Sequence, residues 1–157
     1  MKLLMDADCL IKLTKAGLKE TICRHYEITI PPIVKNEVVD AGKAKDCPDA
    51  EAVEKNIKNG LIRVGREKTL DHRKGDHALA ESFKKGQYDG IATDDAKLIR
   101  FLRATGISFV VPGLLIYLLS QQEIIGLEAA FDSLKALSAF ISEDEYTMTT
   151  LLLEKKL

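Results

Sequence analysis

Asp6 and Asp8, and again Asp94 and Asp95, each follow a short apolar stretch, LLM in one case and GIA in the other, and each run into a segment with helical spacing. Glu37 lies within IPPIVKNEVVDAG and Asp76 within KGDHALAE, so acids recur in four separate contexts along the chain. Carboxylates gathered without His or Cys make a hard oxygen donor set, which suits Mg²⁺ or Mn²⁺ better than zinc. Left to themselves they repel and raise one another's pKa values, so the cluster is stable mainly when divalent cations neutralise it. A cation held this way lowers the pKa of a water nucleophile and stabilises the leaving oxygen during attack on a phosphodiester. Each acid also has a plainer account: Asp8 as the cap of the first helix beside a solvated Asp6, Glu37 as a solvated helix glutamate, Asp76 as a first-turn acid, and Thr93-Asp94-Asp95 as a helix start. Only the elements that carry them can separate the two accounts.

The apolar and β-branched runs near residues 2, 27, 61, 90 and 107 read as short strands, with helical spacing between them. That alternation implies an α/β fold of three layers, α/β/α, around a mostly parallel sheet. Gly17 stops the first helix, residues 18–25 form a second, and Pro31 and Pro32 end a strand and start a helix that Gly42 stops, with Ile33, Val34 and Val38 on its apolar face. Residues 43–59 are polar, with Pro48 opening a helix, and read as an exposed insertion or arm. In residues 96–105 Leu98, Ile99 and Leu102 face inward and Lys97, Arg100 and Arg103 outward, and Gly106 closes the helix. Residues 107–111 suit a buried parallel strand. The remainder shows helical spacing, with Ser142 and Glu145 in capping-box register, and reads as packing without functional acids. In such a fold the strand C-termini share one edge, where ligands of open α/β sheets sit. Asp6 and Asp94 or Asp95 leave that edge, and Glu37 and Asp76 ride on helices able to cover it.

A chain of 157 residues is long enough for one ordinary domain with a sizeable core, and 46% apolar with 30% charged residues excludes a disordered chain. The formal net charge of −1 excludes a uniformly basic nucleic-acid binder. Phosphate contacts must then come from local clusters: Lys97, Arg100 and Arg103 on the helix, and Arg73 and Lys74 in a basic stretch that otherwise reads as a solvated loop. Cys9, Cys23 and Cys47 are odd in number and lack CxxC spacing, which fits a reducing cytoplasm. The early Asp6 and Asp8 argue against a signal peptide, and Pro112 and Gly113 break the most apolar stretch, so no membrane segment is expected.

The succession MDADCLIKLTKAG, IPPIVKNEVVDAG, KGDHALAE and IATDDAKLIR with GISFVVPGLL resembles the PIN-domain family, more narrowly its prokaryotic branch related to VapC-type toxins. The resemblance runs from Lys2 to about Leu137 and implies a single PIN-like domain over residues 1–157, with a helical C-terminal extension from about 126. It further implies a Mg²⁺- or Mn²⁺-dependent ribonuclease acting on single-stranded or structured RNA, and, by likeness to the toxins, a homodimer with an antitoxin protein as partner. Carried over by position, Asp6, Glu37 and Asp76 are the first three acids and Asp94 or Asp95 the fourth, with Thr93 as their hydroxyl neighbour. Two positions depart from the pattern. The close branch often has Glu where this chain has the shorter Asp76, and the fourth acid is doubled. Two rival readings stand beside this one: a non-catalytic PIN-like binding module, and a haloacid-dehalogenase-like phosphatase with Asp6 as nucleophile and Asp8 as acid. The second lacks a small hydroxylic residue after the pair, where Cys9 and Leu10 stand, and leaves Glu37 without a role.

Overall fold

The computed structural model describes residues 1–66 and 75–155, the stretch 75–78 by its backbone alone. Five strands, β1 (Lys2–Met5), β2 (Glu27–Ile30), β3 (Ile62–Val64), β4 (Gly90–Ala92) and β5 (Phe109–Val110), form one sheet in the order β3-β2-β1-β4-β5. Every pairing is parallel. Parallel strands inside such a sheet are covered on both faces, so β1 and β4 at its centre are buried along almost their whole length, while β3 at the edge alternates and exposes Arg63. Leu3 and Met5 point to one core cluster and Leu4 to the other. Register carries this across the sheet: Leu3 pairs with Ile28 on the first face, and Leu4 with Ile91 on the second.

The first face is covered by α1 (Ala7–Lys15), α2 (Lys19–His25), α8 (Pro112–Gln121), α9 (Leu127–Leu137) and α10 (Glu143–Glu154), which bury Leu10, Leu13, Ile22, Leu119, Leu134 and Leu153. On the second face α6 (Gly75–Lys85) and α7 (Ala96–Thr105) bring Leu79, Ala80, Leu98 and Leu102 against Leu4 and Ile91. The result is the expected three-layer α/β/α arrangement. β1 is followed in sequence by its neighbour on one side and flanked by β4 on the other, so the strand order reverses there and a crevice opens beyond the ends of β1 and β4.

Between β2 and β3 the chain is helical almost throughout. Short α3 (Pro32–Lys35) leads into a π-helical turn, Asn36–Asp40, then α4 (Ala41–Lys43) and α5 (Pro48–Lys58). The wider π turn shifts the helical phase, so that the consecutive Val38 and Val39 are both buried while Glu37 stays exposed. Three expectations are corrected here. Residues 43–59 are no exposed arm: Ala50 and Val53 are buried, and α5 packs on the π turn, β3 and α1. Their spacing of three, with Ile57 a turn further on, is an apolar stripe that the many charges between them obscure. Gly42 likewise does not stop the helix, which runs on to Lys43. A Cβ at Gly42 would lie 2.7 Å from that of Ala50, so the glycine is there to let α5 approach. The last strand is also shorter than residues 107–111, being confined to Phe109–Val110. Among the described residues no helix is long and apolar enough to cross a membrane.

Candidate active site

Asp6 is the first residue beyond β1, tied to the neighbouring strand by its backbone N–H, which donates to the Ala92 carbonyl at 3.1 Å. It is also the N-cap of α1: its Oδ1 accepts from the Cys9 backbone N–H at 2.7 Å. The expectation that Asp8 caps this helix is therefore corrected. Asp8 sits in the first turn, where the helix dipole favours an acid, and pairs with Lys12 one turn on at 3.0 Å.

The second oxygen of Asp6 accepts a short hydrogen bond from the hydroxyl of Thr93, which is fully buried and leaves β4 as Asp6 leaves β1. Burial pushes the Asp6 carboxyl up from 3.8 to about 7. The Thr93 and Cys9 hydrogen bonds pull it down, and the charges of Asp94 and Asp8 add to the rise.

Asp94 and Asp95 take different directions. Asp95 is the N-cap of α7, accepting from the backbone N–H groups of Lys97 at 2.8 Å and Leu98 at 2.6 Å. The Asp94 side chain is only 8% exposed; its Oδ2 lies 2.5 Å from Lys12 Nζ, and its Oδ1 is buried with no hydrogen-bond partner among the described residues. Burial disfavours the Lys12 ammonium, but its bonds to Asp94 and Asp8 outweigh this and raise its pKa.

Asp6, Asp8, Glu37 and Asp95 line one cleft of about 190 Å³, with Ala7, Val34 and Leu79 completing its wall. Glu37 also borders a second pocket of about 240 Å³, floored by Ile11, Val38 and Ala50. Asp76 lies in the first turn of α6, three residues before Leu79, and its side chain is outside what the structure describes. Lys97, Arg100 and Arg103 are exposed along α7, leading away from the cleft, and the Arg103 guanidinium stands 5.5 Å from the centre of the Phe109 ring. Arg73 and Lys74 lie outside the described residues.

Two charged residues beside these acids do not emerge from the sequence reading. Lys12 had a visible signal, since it follows Asp8 at helical spacing of four. Glu145 had none. The capping box predicted for Ser142 and Glu145 is only half formed: the Glu145 backbone N–H donates to Ser142 Oγ at 3.2 Å, but the carboxylate turns away and accepts from the Gly113 N–H at 2.7 Å. Burial raises the Glu145 pKa; the Gly113 bond opposes this, and the negative charge of Asp94 adds to the rise. Through this bond Glu145 ties α10 to the start of α8.

The donor set is oxygen-rich and contains an orphaned buried carboxylate oxygen on Asp94, which fits a hard divalent cation. Among the described residues, no three His, Cys, Asp or Glu side chains stand close enough together to hold a metal ion as they are arranged here. Comparison with curated proteins finds no match. A family model described as a PIN domain matches residues 2–155, nearly the whole chain. With its parallel three-layer fold and its acids at the crevice beyond β1 and β4, the chain belongs to the PIN-domain family, whose fold is of nuclease type.

Proposed function

We propose that this protein is a metal-dependent endoribonuclease that hydrolyses RNA phosphodiester bonds at the cleft between β1 and β4. The observation that carries the reading is Asp6: a buried carboxylate at the strand-order reversal, in one cleft with Glu37 and Asp95 and electrostatically coupled to Asp94. Asp6, Glu37, Asp94 or Asp95, and Asp76 are the residues that would hold Mg²⁺ or Mn²⁺. Such a cation, when bound, activates water and offsets charge on the phosphate. Thr93 fixes the Asp6 carboxylate from one side and the Cys9 N–H fixes it from the other, so its orientation is set before any ligand arrives. Lys97, Arg100 and Arg103, with Arg73 and Lys74, supply phosphate contacts for single-stranded or structured RNA.

The phosphatase alternative draws less support. Its acid, Asp8, is ion-paired with Lys12, and Cys9 and Leu10 stand where it needs a small hydroxylic residue. A role as a toxin of a toxin–antitoxin pair, working in the cytoplasm as a homodimer with an antitoxin partner, belongs to the same reading by family likeness. The test is cleavage of a labelled single-stranded RNA with Mg²⁺, with Mn²⁺ and with chelator, using wild type beside Asp6→Asn. Metal-dependent cleavage that falls by roughly a hundredfold or more in the variant is expected. Absence of cleavage, or equal cleavage by both proteins, overturns it.

A further inference from the structure

Lys12 reaches from α1 to Asp94, two residues beyond β4, and to Asp8, which lines the acid cleft. Its ammonium is shared between Asp94 Oδ2 at 2.5 Å and Asp8 Oδ2 at 3.0 Å, linking an acid that leaves β4 to one just beyond β1. The Lys12 and Asp94 side chains are 19% and 8% exposed, so solvent screens their attraction weakly. The other Asp94 oxygen is buried and has no hydrogen-bond partner among the described residues. One carboxylate thus has an ammonium on one oxygen and, among the described residues, no partner on the other.

We propose that Lys12 is a built-in counter-ion that competes with a divalent cation for Asp94 and thereby sets how tightly the site holds metal, an inference that rests on the metal-dependent reading above. A positive charge this close cancels much of the attraction Asp94 would exert on a cation, and it repels a doubly charged ion at the same carboxylate. Asp94 does not depend on Lys12 for its place in the fold. The Thr93 backbone N–H donates to the Val110 carbonyl at 3.0 Å, the Asp95 N–H donates to Thr93 Oγ1 at 3.1 Å, and Asp95 caps α7, so the backbone is fixed on both sides of Asp94. Removing the lysine charge therefore removes competition and leaves the ligand in position. Without metal the effect reverses, because Asp94 becomes a buried charge lacking its partner. A lysine with a merely structural role would weaken both states together. A counter-ion weakens the metal-free protein and tightens the metal complex.

The experiment is Mn²⁺ binding by calorimetry, without RNA, together with thermal melts in chelator and in Mn²⁺. Wild type is compared with Lys12→Met, with Lys12→Gln, which keeps a donor for Asp94, and with Lys12→Arg, which keeps the charge. The neutral variants are expected to bind Mn²⁺ roughly tenfold more tightly than wild type. They are also expected to melt lower in chelator and to gain more from Mn²⁺, while Lys12→Arg stays within a few-fold of wild type. Should Lys12→Met not fold in chelator, Lys12→Gln decides the comparison. Equal or weaker Mn²⁺ binding by the neutral variants overturns the inference and leaves the metal reading standing. Failure of wild type and every variant to bind Mn²⁺ overturns both.

Discussion

Thr93 and Asp6, each the first residue beyond its strand, are joined side chain to side chain across the adjacent β1 and β4 ends: the Thr93 hydroxyl donates to Asp6 Oδ2 with both residues buried. The bond couples the two strands at the crevice and partly offsets the desolvation of the carboxylate. Thr93→Val keeps the shape and removes the donor, leaving a buried acceptor unmatched at a cost of about 1–3 kcal/mol. The Asp6 pKa should rise further still, whereas Thr93→Ser restores both quantities. Urea denaturation and an NMR titration of the Asp6 carboxyl check this; an unchanged pKa in Thr93→Val refutes it.

The same carboxylate makes stability depend on pH. Its folded pKa of about 7 lies above the ordinary value of 3.8, so between these pH values the folded chain retains a proton that the unfolded chain has released. Folding is therefore favoured at low pH by this group, and the advantage is lost as pH rises through 7. Asp6→Asn removes the dependence. In chelator, the stability of wild type relative to Asp6→Asn should fall by roughly 2–4 kcal/mol between pH 4 and pH 8. Parallel stability curves for the two proteins would contradict the raised pKa.

Asp94 and Asp95 are adjacent, yet their substitutions should separate cleanly. Asp95 closes the first turn of α7 with two hydrogen bonds, so Asp95→Ala should cost about 1 kcal/mol and Asp95→Asn very little. Asp94 caps nothing and faces Lys12, so Asp94→Asn should suppress cleavage by roughly a hundredfold while the protein stays folded. Thermal melts and the RNA assay, run on the same preparations, distinguish a cap from a metal-holding acid. Full cleavage by Asp94→Asn would remove Asp94 from the proposed set.

Much of the sheet is legible in the sequence because its strands are short apolar or β-branched runs, and their parallel order follows from the helices that must intervene. The direction of each acid is less legible. An Asp at a strand end and an Asp at a helix cap are the same residue in Asp6, which ends β1 and caps α1 at once, so weighing one role against the other assigns the cap to the wrong acid. For α5, the core residues Ala50 and Val53 are outnumbered by charged neighbours, and composition hides a stripe that spacing alone would show. Glu145 lies 51 positions beyond Asp94, and only the packing of α10 on α8 brings it near.

The basic face of α7 should act through phosphate charge and not through base identity. Lys97, Arg100 and Arg103 recur every three residues and are exposed, with successive side chains about 4.5 Å further along the helix axis. Replacing each by Ala should weaken RNA binding whatever the sequence and should flatten the dependence of log K on log salt by roughly 0.7 per lost contact with single-stranded RNA. Fluorescence anisotropy across a salt series measures this. A change of sequence preference at constant salt slope would mean instead that these side chains read bases.

Gly113 and Glu145 offer a test of how the C-terminal helix is held against the site. The Glu145 carboxylate accepts from the Gly113 N–H near the start of α8, and a Cβ on Gly113 would stand 3.2 Å from Glu145 Oε1 and would collide with Thr149 Oγ1. Thr149 is buried, so it cannot swing into solvent, and α10 itself would have to move. Gly113→Ala should therefore destabilise by about 1–3 kcal/mol, in the range of overpacking. Glu145→Ala leaves a part-buried N–H unmatched and should cost about 1–2 kcal/mol, whereas Glu145→Gln can still accept that bond through its amide oxygen. Because the Glu145 carboxylate figures in both substitutions and the Thr149 collision in only one, the double variant should lose somewhat less than the sum of the single losses. Strict additivity in urea denaturation would show that the two residues hold α10 independently.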